Sequence, residues 1–287
     1  MTATISARLR GLALNLFLAV LMLFFIFPVV WIVLTGFRNP IEVNAFPPVW
    51  IPHSLSLIGF EKLLLPQNPF ASGSVVPFLD YLRNSVVIAS VSTVLALALG
   101  SLAAFGFSRW RGRSSNAVFI SLLMTRAIPG VALSIPLVVL FTALGLGDSA
   151  GELILVYTAV NVPLATFLLD GFFREIPDDV YDAAVIDGAT PLQIFLRIGL
   201  PLVRPGLAAA GMLAFLTSWN EFQIASVLEK TNASITLPRG LFDFTTLMTV
   251  DWQAMSAMAT LMVIPPAIFV IFAQRYLIKG LILGAGR

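Results

Sequence analysis

Six apolar runs of roughly 20 residues or more, each long enough for a helix to cross a hydrocarbon core about 30 Å thick, constrain this chain more than anything else in it. They cover residues 11–35, 84–107, 116–141, 151–173, 202–225 and 255–278. Lipid offers no partner for a free backbone N–H or C=O, so a spanning segment closes its hydrogen bonds within itself. The expected fold class is therefore an all-α polytopic membrane protein with six transmembrane helices. Composition agrees: 58% of the 287 residues are hydrophobic, only 11% are charged, and the mean hydropathy is +0.94. These values exclude an ordinary soluble globule. The first run follows Arg8 and Arg10. It is longer than the apolar stretch of a signal peptide and lacks a small-x-small cleavage site after it, so it reads as a retained span.

Basic residues set the orientation. With the N-terminus inside, the cytoplasmic side receives Arg8, Arg10, Arg109, Arg111, Arg113, Arg174, Arg197, Arg204, Arg275, Lys279 and Arg287, eleven of the seventeen. The outer side receives Arg38, Lys62, Arg83, Lys230 and Arg239, and Arg126 falls within the third run. This bias predicts both termini inside. The net charge of +2 thus reports topology, with membrane lipid as the surrounding partner and no nucleic acid. The absence of cysteine excludes disulfides and thiolate chemistry, and the single histidine, His53, is expected in a solvated loop among prolines.

Two outer segments are sizeable. Residues 37–80 hold seven of the eighteen prolines and the amphipathic piece "LIGFEKLLL", which suits a cap lying on the outer face. Residues 226–251 mix polar and aromatic side chains, as in "EKTNASITLPRGLFDFTTLM"; such a loop receives a partner or simply connects two helices.

On the inner side, "YDAAVIDGATPLQIFLRIGLP" (181–201) separates the fourth and fifth runs. Glu175, Asp178, Asp179 and Asp182 crowd the start of one short helix, where the helix dipole favours negative charge, and Gly188 is placed to end it in a left-handed cap. Thr190, Pro191 and Gln193 have the spacing of a capping box opening a second helix. Ala183, Ala184 and Gly188 leave the first helix thin enough for another backbone to approach. Asp187 is expected to cap the second helix locally, or to touch a partner. Asp182 either pairs with a partner's cation or compensates the dipole.

These residues resemble the EAA loop of binding-protein-dependent ABC importer permeases, with its Glu-Ala-Ala, two residues, Asp-Gly-Ala, and a later Ile-x-Leu-Pro. The corresponding positions are Asp182, Ala183, Ala184, Asp187, Gly188, Ala189, Ile198, Leu200 and Pro201, with Asp182 in place of the usual Glu. The stretches "IPGVALSIPLVVLF", "FFREIPDDVYDAA", "LTSWNEF" and "RYLIKGLILGAGR" extend the likeness over nearly the whole chain, to the carbohydrate-uptake branch. The resemblance implies the type I ABC importer permease fold. Residues 1–79 would form the first span with its outer loop, 80–275 the core with a coupling helix near 178–200, and 276–287 a cytoplasmic tail. It implies assembly in a bacterial inner membrane with a second permease, two ATP-binding subunits that hold ATP and Mg, and an extracytoplasmic substrate-binding protein.

No lysine here follows a glycine: Lys62 and Lys230 follow glutamates and Lys279 follows Ile278. A phosphate-binding P-loop needs that Gly-Lys, so nucleotide hydrolysis is expected on other subunits and not in this chain. Arg126, Trp219, Asn220 and Glu221 lie in or beside apolar runs, where charge is costly and function is the first hypothesis. They could face the translocation path; alternatively Arg126 pairs at an interface and Trp219 anchors at the bilayer edge. An intramembrane aspartyl protease would need Asp148 of "GLGD" and Asp182 of "YD" to meet, and the expected topology puts them on opposite sides. An ion-coupled transporter would need buried ion sites or an internal repeat, and neither is evident.

Overall fold

The computed structural model describes residues 2–65, 76–110, 112–246, 249–272 and 274. Within these residues Thr2–Gly36 forms α1, Pro40–Val43 α2, Ile58–Leu64 α3, Phe78–Arg109 α4, Arg113–Met124 α5 and Gly130–Ala143 α6. Ala150–Arg174 forms α7, Asp178–Ile186 α8, Pro191–Ile194 α9, Leu200–Leu202 α10, Arg204–Trp219 α11, Ala225–Leu228 α12, Leu237–Gly240 α13 and Trp252–Met262 α14. The expected helical class is what forms. Arg111 and the tail from 275, including Arg275, Lys279 and Arg287, lie outside the described residues.

Among the described residues, four helical stretches are long and apolar enough to cross a membrane: Gly11–Gly36, Phe78–Arg109, Ala150–Arg174 and Trp252–Phe272. The third and fifth expected spans are not continuous rods. Ser114–Ala127 and Gly130–Ala143 meet at 92°, and Pro191–Leu202 and Arg204–Trp219 meet at 80°. Proline explains both corrections. Pro129 pushes Ile128 out of the helical region (φ −76°, ψ 121°), and Pro205 has no N–H to continue the ladder across Val203. The fifth run also ends at Trp219 rather than 225, since residues 220–224 turn before α12 begins.

The chain divides into two compact units, Met1–Pro77 with Asp243–Val263, and Phe78–Phe242 with Ile264–Arg287. In the first, α14 packs on the C-terminal end of α1 and on α3. A Cβ on Gly36 would stand 3.1 Å from the Ala257 backbone, so glycine sets that approach. Gln253 Nε2 donates to the Arg38 carbonyl at 2.5 Å, and Lys62 pairs with Asp251 at 2.5 Å. These contacts put residues 243–263 beside the N-terminal segment, whereas the sequence grouped them with the core. The piece expected as an outer cap is α3, which buries Gly59 and Leu63. His53 is 79% exposed, as expected of a loop residue, and meets Glu42 at 2.9 Å.

The second unit is organised by α4 and α7. Ala96, Ala104 and Ala165 are fully buried, and a Cβ on Gly100 would stand 2.6 Å from that of Ala165. Small residues permit this approach, which in lipid is driven by packing and not by the hydrophobic effect. A buried polar junction adds α11: Ser92 Oγ donates to Ser218 Oγ at 3.1 Å, and Asn161 Nδ2 donates to the same oxygen at 2.9 Å.

Candidate functional site

The EAA-like segment is built by two adjoining caps. Helix α8 opens at Pro177 with Asp178 and Asp179 in its first turn. Its end is a Schellman turn: Gly188, at φ +81°, donates to the Val185 carbonyl at 3.0 Å, and Ala189 donates to that of Ala184 at 2.9 Å. Thr190 then caps α9. Its Oγ1 accepts from Gln193 N at 3.3 Å, and Gln193 Oε1 accepts from Thr190 N at 2.8 Å. The helix does not stop there. A π-helical stretch, Phe195–Gly199, and α10 continue it into the bent pair. The turn is therefore continuous with the first arm of that pair, Pro191–Leu202.

The underside of this segment is pinned to the core. Tyr181, Ala184 and Ile194 form a buried cluster with Phe105, Ile176 and Ile198 against them. Arg109 at the end of α4 lies 4.4 Å over the Tyr181 ring and pairs with Asp178 at 2.7 Å. Burial raises the Tyr181 hydroxyl above its ordinary value, opposed by the Arg109 charge.

The outward face differs in part from expectation. Asp182, Ala183, Asp187 and Gly188 are exposed, but Ala184 is buried and faces the core. Asp187 is not the cap of α9; Thr190 is, and among the described residues the Asp187 carboxylate has no hydrogen-bond partner. Glu175 ends α7 and does not open α8. The sequence reading also missed Val185 and Ile186, the latter 86% exposed, which add apolar surface beside Asp182 and Asp187. Helical spacing accounts for the difference between them: with Tyr181 and Ala184 buried, Ile186 falls on the opposite face of α8, while Val185, four residues after Tyr181, flanks the buried side.

The four residues considered for a translocation path differ in their surroundings. Arg126 is exposed in the 3₁₀ turn Thr125–Ala127, at the elbow of the first bent pair. Trp219 is buried (1% exposed) and stacks on Phe215 at 5.6 Å, so it neither anchors at a bilayer edge nor presents a stacking face. Glu221 accepts from the amides of Ile224 and Ala225 at 2.8 and 3.0 Å and from the Tyr157 hydroxyl at 2.8 Å. It caps α12 and ties it to α7. Asn220 is exposed, with Nδ2 donating to the Leu216 carbonyl at 2.9 Å.

The loop that follows is clamped by two more carboxylates. Asp148 accepts from the amides of Lys230 and Thr231 at 2.9 and 3.1 Å and from the Ser234 hydroxyl. Burial would raise its pKa, but these donors outweigh it and hold it below the usual range. Asp148 is thus a loop clamp rather than half of a catalytic pair. Glu229 accepts from Thr236 N and Oγ1, both at 2.9 Å, and burial pushes its carboxyl up to about 7 against those bonds.

Comparison with known proteins fits this geometry. The family described as binding-protein-dependent transport system inner membrane component matches residues 96–283. A probable ABC transporter permease of Sinorhizobium fredii is 35% identical over 98% of this chain and 97% of its own length. The trehalose transport system permease of Mycobacterium tuberculosis is 37% identical over 83% of this chain and 91% of its own. Among solved structures, a bacterial ABC transporter that imports the acidic polysaccharide alginate superposes with a TM-score of 0.77 at 20% identity, covering 94% of this chain and 97% of that one. The chain, with its family match across both bent pairs and the capped turn between α8 and α9, belongs to the binding-protein-dependent transport system inner membrane components.

Proposed function

We propose that this chain is a permease subunit of an ATP-driven importer of sugars or sugar derivatives in a bacterial inner membrane. It forms the pathway with a second permease, over two ATP-binding subunits that carry ATP and Mg, and takes cargo from an extracytoplasmic binding protein. Both termini are then cytoplasmic, and the chain itself hydrolyses nothing. The carrying observation is the rigid, outward-facing turn from α8 to α9: Asp182, Ala183, Asp187 and Gly188 exposed, with Val185 and Ile186 beside them, over a buried Tyr181 and Ala184. A polar linker would leave such a turn free, but here aromatic packing fixes it to α4 and to the first arm of a bent helix pair. The names of relatives support the cargo class: permeases for trehalose, for diacetylchitobiose, for arabinooligosaccharides and for sulfoquinovosyl glycerol.

In this reading closure of the ATP-binding subunits pushes on the outer face of α8, and the motion passes through Tyr181 and the π-helical stretch into the bent pair. Ala184 and Ala189 act from beneath, by letting the helix sit close to the core and by closing its C-terminal turn. Arg126 and Asn220 are the exposed candidates for the pathway, whereas Trp219 and Glu221 support it. The test is purification of the complex from membranes followed by reconstitution. ATP-dependent uptake of a neutral sugar, with a P-loop ATPase co-purifying, supports the reading. Uptake that follows an ion gradient with no ATPase bound overturns it.

A further inference from the structure

The first compact unit contains a cavity of about 290 Å³ between α2, α3 and the start of α14. Its lining differs from the apolar grooves elsewhere on the chain, because it combines an indole, amides and a closed ion pair. Trp252 is half-exposed at its wall, and Asn44 presents an exposed carboxamide whose Nδ2 reaches only the Pro40 carbonyl at 3.5 Å. Lys62 and Asp251 both line it and neutralise each other at 2.5 Å, while Asp251 also caps α14 by accepting from Ala254 N at 3.0 Å. Gln253 is 2% exposed; its Nε2 is used by the Arg38 carbonyl, but its Oε1 is buried with no hydrogen-bond partner. An orphan buried acceptor is unfavourable, and a ligand donor that reaches it relieves it.

We propose that this cavity is a binding subsite for a neutral, polyhydroxylated ligand the size of one sugar ring, resting on the importer reading above. The charge balance decides the class. With Lys62 already paired, an anion gains no free cation and meets Asp251, whereas hydroxyl groups can bond the exposed Asn44 amide and, where the Gln253 side chain turns toward the cavity, donate to its Oε1. Trp252 offers the flat apolar surface that a ring needs, the usual pairing of an aromatic wall with a few placed polar groups.

Saturation-transfer difference NMR on the whole purified importer, without its binding protein, tests this with trehalose, diacetylchitobiose and glucuronate as probes. The expected result is signal from at least one neutral sugar and none from glucuronate. Trp252→Ala and Asn44→Ala should each weaken binding about tenfold, and Trp252→Phe should restore most of it. Equal signals in wild type and in Trp252→Ala, preference for glucuronate, or no binding by either neutral probe at tens of millimolar each overturn the subsite. Reconstituted uptake separates the two readings: ATP-driven sugar uptake with no binding here removes only the subsite, while no sugar uptake removes the importer reading and the subsite with it.

Discussion

The guanidinium of Arg109 lies 4.4 Å from the centre of the Tyr181 ring, joining the C-terminal end of α4 to the buried side of α8. The same side chain pairs with Asp178, in a bridge whose two side chains are 36% and 45% exposed. An exposed cation–π contact contributes about 0.5–1 kcal/mol and an exposed ion pair about as much, so neither holds the fold. Their effect is positional. Arg109→Ala should leave the amount of assembled complex nearly unchanged while cutting uptake several-fold, with ATP hydrolysis less affected. Equal loss of hydrolysis and uptake in reconstituted vesicles would count against a role in force transfer.

Gly188 separates turn geometry from docking. Its φ of +81° costs an ordinary L-residue roughly 1 kcal/mol or more, yet a Cβ there meets no atom within 4 Å. Gly188→Asn, which tolerates this region, should therefore keep α8 and α9 folded. If the face docks on another protein, even this variant should lose uptake, and Gly188→Trp should lose it entirely while still reaching the membrane. Full transport by Gly188→Trp would show that nothing approaches the turn.

Glu229 carries a pH dependence with a defined sign. Burial raises its pKa from 4.5 to about 7, so the folded chain holds this proton more tightly than the unfolded chain does. Its contribution is complete below about pH 4.5 and is lost as pH rises through about 7, by up to a few kcal/mol. Thermal unfolding in detergent should show a Tm that falls across that window. Glu229→Gln keeps an acceptor for Thr236 and should flatten the dependence; an unchanged slope would place the titrating group elsewhere.

Glu221 should behave as a structural residue. Glu221→Ala strands the amides of Ile224 and Ala225 and the Tyr157 hydroxyl, and should destabilise by about 2–4 kcal/mol. Tyr157→Phe should cost about 1 kcal/mol, and the double variant less than the two added together. Asn220→Ala, by contrast, should be mild in stability, so any change in the substrate dependence of its uptake reports on the pathway. Additive losses for Glu221 and Tyr157 would argue that the two do not share a bond in the membrane.

Close packing of α4 on α7 can be checked at one atom. Gly100→Val must displace Ala165, whose Cβ would stand 2.6 Å from the added carbon, together with the backbone at Thr166. The folded yield in membranes should drop sharply, as overpacking of a close helix pair costs on the order of 1–3 kcal/mol. Gly106→Ala, which meets nothing within 4 Å, is the matched control and should be silent.

The sequence by itself determined the helical class, the positions of the apolar runs and the caps of the inner turn. Each depends on neighbours within a few residues: length against bilayer thickness, glycine at a left-handed position, threonine three residues before glutamine. Tertiary structure decided what depends on distant partners. Pro129 and Pro205 are visible in the sequence, but how far a chain bends at them depends on what the two arms pack against. Hydropathy marked Glu221 and Trp219 as exceptional, yet one became a cap for a helix ending near Leu228 and the other a buried ring beside Phe215. Asp148 entered the sequence only as half of an acid pair that the expected topology keeps apart, and its role as a clamp appears only where the loop around Ser234 folds onto it. A carboxylate in or beside a membrane needs donors, and those donors lie up to 86 residues away in the chain, where no local pattern can show them.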